Sequence, residues 1–132
     1  MTAEYRGLYG ISDPIEGLDP GTITMVVGVD ELCYWMVGKH GRIYWCLVER
    51  LATQLHFPNI PKYTDAEAIA YAEERLNKIL LSDTAQVTFG DLWENRQVYA
   101  LVTVEEGNLG VWTAGNIVCI GDIVHKVKFL SL

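Results

Sequence analysis

The chain has 132 residues, half of them hydrophobic, and a formal net charge of −7. That length and apolar fraction fit one domain, residues 1–132, that buries a core on folding. The acidic balance, with no Lys/Arg cluster, excludes a phosphate-binding stripe, and with it nucleic acid or an anionic membrane as partner. No apolar run approaches the roughly 18 residues that a membrane span requires. The N-terminus "MTAEYRGLYG" is too polar and charged for a secretory signal. Cys33, Cys46 and Cys119 sit in apolar, strand-like runs without regular spacing. They read as buried free thiols in a reducing compartment, the cytoplasm. There is no C-x-x-C, H-E-x-x-H, P-loop or G-x-G-x-x-G, so no metal and no cofactor is expected from motifs.

The first recognisable segment is a turn-rich loop, "SDPIEGLDPG", with two Asp-Pro pairs. "TITMVVGV" follows and is apolar on both faces, which predicts a buried strand. A tight turn at Asp30-Glu31 and the returning strand "LCYWMVG" predict a hairpin. "KHG" is the next turn, and "RIYWCLVE" the third strand of a meander. There Ile43, Trp45 and Leu47 share one face, and Tyr44, Cys46 and Val48 the other. Both faces are apolar, so each side of the sheet needs a cover. After a proline-fixed loop, "TDAEAIAYAEERLNKILL" predicts the main helix. Thr64 and Glu67 make a capping box, and Ile69, Ala72, Leu76, Ile79 and Leu80 an apolar stripe. A short strand in "SDTAQVTFG", one helical turn at "DLWEN", a strand at "RQVYALVTVEEG" and a buried strand from Asn116 to Ile120 complete the chain. The order, roughly βββ(β)αβββ, is α+β: a mixed or antiparallel sheet covered by one main α-helix.

His40 lies in the turn "GKHGR", as a solvated turn histidine or as a proton donor at the lip of a pocket. Asp91 in "GDLWENR" reads as the N-cap of a short helix, or as a carboxylic acid whose pKa is raised beside Trp93. Tyr9, Tyr34, Trp35, Tyr44 and Trp45 put aromatics on both faces of the first strands. They are core, or one face of them is the wall of an apolar pocket for a bulky, polycyclic ligand.

"LYGISDPIEGLDPGTITMVVG", "GKHGRIYWCLVE", "VTFGDLWENRQVYALVTVEEG" and "WTAGNIVCIGDIVHK" resemble, in order, the middle of fungal FAD-dependent monooxygenases with the p-hydroxybenzoate hydroxylase-like fold. The likeness is to enzymes that epoxidise prenyl chains in indole-diterpene and meroterpenoid pathways. It implies the family's substrate-binding sheet, a wall over substrate and flavin. The family's Gly-Asp-Ser-x-His-Lys-Met segment is matched at Gly121, Asp122, His125 and Lys126. Ile123 replaces its small polar residue, and Asn116 stands where the family has Arg. The flavin role is therefore not carried over to Asp122. The βαβ unit that seats the FAD pyrophosphate has no counterpart in these residues.

The resemblance implies a substrate-binding domain without a dinucleotide-binding domain and without cofactor. The expected activity is a flavin-independent cyclase or isomerase acting on a bulky apolar terpenoid or meroterpenoid intermediate. Tyr9, Trp35 and Tyr44 form the expected pocket wall, and His40 or Asp91 is the expected proton donor. The alternative is a non-catalytic accessory or binding module, or a remnant of a monooxygenase. Because a flavin domain covers one face of this sheet in the family, a homodimer is expected to cover it here.

Overall fold

The computed structural model describes residues 1–77, 80–82 and 86–126. Its elements in chain order are β1 (Thr2–Ser12), β2 (Ile23–Val27), β3 (Glu31–Val37), β4 (Ile43–His56), α1 (Asp65–Glu73), β5 (Leu80–Ser82), β6 (Val87–Thr88), α2 (Phe89–Glu94), β7 (Arg96–Asn108), β8 (Thr113–Ala114), β9 (Ile117–Val118) and β10 (His125–Lys126). The main sheet runs β10-β7-β1-β4-β3-β2, and every described pairing in it is antiparallel. It curls like half of a barrel. The expected α+β sheet with few helices holds, with α1 the longer helix and α2 a second cover.

β1 is a central strand, paired with β4 on one side and β7 on the other. Its alternation sends Leu8, Gly10 and Ser12 to the helical side, and Gly7, Tyr9 and Ile11 to the opposite side. On the helical side Leu8, Trp35, Trp45 and Leu47 pack against Ala68, Tyr71 and Ala72 of α1 and Phe89, Leu92 and Trp93 of α2. Trp45 meets Phe89 edge-on at 5.2 Å between ring centroids, a favoured aromatic geometry. On the other side Tyr5, Leu32, Cys46 and Val48 form a second, smaller cluster.

Two polar devices fix the helices to the sheet. Trp45 Nε1–H donates to Ser12 Oγ at 2.7 Å, and the Ser12 hydroxyl donates to the Leu92 carbonyl at 2.7 Å. This relay ties β4, β1 and α2 together inside the core, where an unpaired group would be costly. Near the C-terminus of α1, Arg75 and Arg6 both bind the Glu49 carboxylate, at 3.0 and 2.7 Å. Their guanidinium groups also stand over the Tyr71 ring, at 3.7 and 4.6 Å from its centroid.

Several expectations are corrected. β2 is an exposed edge strand rather than a buried one, with Ile23 72% exposed; among the described residues it pairs with β3 alone, and both of its faces are open. The expected buried strand from Asn116 to Ile120 is the second arm of a small β8–β9 ladder apart from the main sheet. It turns at Gly115, whose φ of 58° favours glycine, and it exposes Ile117, Val118 and Ile120. Helix α1 stops at Glu73 and buries Ala68, Tyr71 and Ala72, while Ile69 and Leu76 sit only partly buried beside the core. Leu80 opens β5, and Ile79 lies outside the described residues. The predicted capping box is present: the Thr64 N–H donates to Glu67 at 2.7 Å. Cys33 and Cys46 are buried and free, but Cys119 is only half-buried.

The indole of Trp45 lies across β1 where residue 10 has no side chain. A Cβ there would overlap Trp45 Cζ2. Gly10→Ala should therefore destabilise the fold by about 1–3 kcal/mol. In a Trp45→Phe background the same change should cost clearly less, as a urea-denaturation double-mutant cycle would show. Equal costs in both backgrounds would contradict this account.

Candidate functional site

The open face of the sheet follows from strand register. Ala100, Tyr9, Cys46 and Tyr34 are cross-strand partners in one row over β7, β1, β4 and β3. Val98, Ile11, Tyr44 and Met36 make the next row two residues on. Such rows bring side chains on one face into contact. All of them except buried Cys46, together with Gly10, Trp45 and Tyr99, line a groove of about 340 Å³. That volume is within the range of small-molecule sites.

Among the described residues no charged side chain lines the groove. Its polar groups are phenols. Tyr9 is pushed above the ordinary tyrosine range, first by burial and then by the neighbouring Cys46 thiol, to which its hydroxyl is hydrogen-bonded. Burial, with Cys46, also raises Tyr34. Burial pushes Cys46 up to about 12, the Tyr9 hydrogen bond offsetting only part of this. The floor is therefore neutral: protonated phenols over a protonated thiol. Such a surface binds and orients an apolar molecule, and offers hydrogen bonds rather than a strong acid or base.

The residues expected from the sequence separate. Tyr9 and Tyr44 line the groove and are 37% and 40% exposed. Trp35 does not: it is 2% exposed in the helical core, because it alternates with Tyr34 and Met36 along β3. His40 is an exposed residue of a 3₁₀ turn, Lys39–Gly41, with a φ of 72°, and lies outside the lining. Asp91 is also outside it. Asp91 is not the N-cap of α2 but its third residue: its carboxylate accepts from the Thr88 N–H at 2.7 Å and the Thr88 hydroxyl at 2.9 Å. Sequence reasoning missed Tyr34, Met36, Ile11, Val98 and Ala100 as lining. The period-two alternation along each strand was the signal that could have found them.

Asp122 stands exposed in a 3₁₀ turn, Gly121–Ile123, beside a small cavity of about 130 Å³. His125 pairs with Asn108 in β10 and is exposed. Among the described residues no group of His, Cys, Asp and Glu is placed to hold a metal ion, and no helix is long and apolar enough to cross a membrane.

Over 127 residues the chain is 39% identical to the FAD-dependent monooxygenase anuJ of Penicillium roqueforti, covering 96% of this chain and 16% of that protein. It is 35% identical to the FAD-dependent monooxygenase janM of Penicillium janthinellum, and 39% identical to cdmI of Talaromyces verruculosus. Each match covers 96% of this chain and 26% of the relative. The chain is homologous to one segment of fungal FAD-dependent monooxygenases. It spans about a quarter or less of the length of these curated relatives. No family model and no solved structure matches it.

The relatives' names imply FAD, and the described residues do not fit its pyrophosphate. A pyrophosphate site uses free amides at a helix N-terminus. At both α-helices described here the N-cap N–H, of Thr64 in α1 and Thr88 in α2, is given to the helix's own carboxylate, Glu67 and Asp91 respectively. Those carboxylates would also repel the anion.

Thiol chemistry reports on the groove floor. Cys33 and Cys46 are both buried and pushed up to about 12 by burial, so little thiolate is available to react. Native protein alkylated at about pH 8.5 should gain one adduct, at half-buried Cys119, and three once unfolded, as intact mass would show. The raised values favour the folded state while the thiols stay protonated. That contribution is present below their ordinary value of 9.0 and is lost as pH rises toward about 12, so urea stability should fall across this window.

Proposed function

We propose that residues 1–132 form one substrate-binding unit that holds a bulky, largely apolar terpenoid or meroterpenoid intermediate of fungal secondary metabolism, and that this unit acts on it as a cofactor-independent cyclase or isomerase. The observation that carries the reading is the uncharged, aromatic groove on the open face of the sheet. Holding a flexible substrate near its reactive geometry can contribute several kcal/mol to lowering a barrier. Tyr9 and Tyr44 serve as wall, joined by Tyr34. His40 and Asp91 were the proton donors expected from the sequence. Since both stand outside the lining, the reading rests on orientation and on the phenols.

A second reading is a non-catalytic binding module. The same absence of imidazole and carboxylate from the lining favours it. In either reading the exposed apolar edge β2 favours association, and a homodimer is the proposed form. The buried free thiols fit a reducing compartment such as the cytoplasm.

The purified chain, incubated with prenylated aromatic epoxides and without flavin or NADPH, should give a product isomeric with the substrate by mass spectrometry. Binding without turnover would leave only the second reading. A product heavier by one oxygen would overturn cofactor independence. Light scattering at micromolar concentration checks the dimer, and a monomer there would remove it.

A further inference from the structure

We propose that Tyr44 sets the orientation of the groove's ligand: its O–H donates to one neutral oxygen on an otherwise apolar ring system, and it holds that oxygen at the end of the groove beside the Lys39–Gly41 turn. The proposal rests on the reading of the groove as a ligand site. It goes further in naming the chemistry of the ligand and the side chain that fixes which way round it lies.

The side-chain hydrogen-bond donors of the lining are Tyr9, Tyr34, Tyr44, Trp45 and Tyr99. Tyr9 gives its O–H to the Cys46 thiol; the bond opposes the burial that raises Cys46, as a donor to sulfur does. The Trp45 N–H is given to Ser12 Oγ, and the Tyr99 hydroxyl to the Asp65 carboxylate. Tyr34 has a partner of its own. Among the described residues Tyr44 has no hydrogen-bond partner. Acceptor capacity is spread more widely, because a phenol oxygen that donates can still accept. A ligand that only donates could therefore sit in several ways. A ligand that accepts meets one uncommitted O–H.

Position and charge give the rest of the ligand. Tyr44 stands between Ile11 and Met36 in the row nearest the Lys39–Gly41 turn, with Val98 beyond Ile11. Its ring edge lies against Gly38, where a Cβ would come within 3.2 Å of Tyr44 Cε2. The phenol is exposed, so a ligand can reach it. Away from it the lining continues over the rings of Tyr9 and Tyr34 to Ala100, which suits an apolar body. An ionised ligand would lose its hydration against a lining without a charged side chain. A plain hydrocarbon would cover the Tyr44 O–H and leave it unpaired. A neutral ketone, ether or epoxide meets both conditions.

The test uses two saturated bicyclic probes that differ by one oxygen, decalin and 2-decalone. Binding is followed by NMR, and the pose by nuclear Overhauser contacts to the groove rings. In the native protein the decalone protons next to the carbonyl should lie nearest the Tyr44 ring. Tyr44→Phe keeps the ring and removes the donor. It should lower the ratio of decalone to decalin affinity roughly two- to tenfold, the size of one hydrogen bond, and abolish the single pose. An unchanged ratio in Tyr44→Phe overturns the proposal. So does an equal or larger fall in Tyr9→Phe or Tyr34→Phe. In both cases the groove still stands as a ligand site. Failure of both probes to bind the native protein would sink the groove reading, and this proposal with it.

Discussion

Trp45 crosses β1 at the one position of that strand where the indole meets no Cβ, and much of the fold is arranged around the crossing. The indole lies on Gly10, its N–H is held by Ser12, and Ser12 in turn holds the last turn of α2 through Leu92. The ring then serves as the surface on which Phe89 and Trp93 pack. One bulky side chain thus sets the distance between the sheet and its second helix. A Cβ at residue 10 or a lost hydroxyl at residue 12 would act on the same few atoms.

The opposite face repeats the device with a different outcome. Gly7 and Gly10 are three residues apart on β1, so they open onto opposite sides of the sheet. On the helical side the aromatic that enters the gap is buried and becomes core. On the open side Tyr9 enters the gap left by Gly7, but no described helix covers it, and its hydroxyl stays reachable. The same central strand therefore contributes a packing site and an open aromatic surface. The alternation of glycine and aromatic along it decides which is which.

The local signals were the most legible part of the sequence. The meander strands, the capping box at Thr64 and Glu67, the turn at "KHG" and the helical turn at "DLWEN" all appear in the structure. β1 was not read as a strand of the sheet, although it is central, because its two glycines, Arg and Glu dilute the β pattern. They are there because the strand is crossed closely on both faces. Burial was misread where it depends on tertiary position. "TITMVVGV" is as apolar as a core strand but lies at the sheet edge, and "NIVCI" lies in a separate small ladder. Half of the pocket wall was legible. Tyr9 and Tyr44 lie in the groove lining, but pairing Trp35 with Tyr44 ignored the register: Trp35 faces Trp45 across the hairpin, and Tyr44 points the other way. His40 and Asp91 were singled out by residue type, which carries no information about distance from a groove.

Exposed apolar surface is concentrated at three places: the groove, the β2 edge, and the arm around Trp112, Ile117 and Ile120. They differ in physical character. Among the described residues β2 has no partner on its outer edge, and the strand carries no charge, Pro or bulge, which is the chemistry of strand pairing. The arm presents aliphatic side chains on a two-residue ladder that, among the described residues, makes no pairing with the main sheet. Such a segment gains most from being covered by a large partner surface. The groove alone combines two register-aligned rows with phenols standing over a buried thiol. A protein surface pressed into it would have to satisfy those hydroxyls with fixed backbone geometry, whereas a small molecule can turn its oxygen to meet one. That difference separates the groove, on the open face of β1, β3, β4 and β7, from the surfaces whose chemistry favours a macromolecular cover.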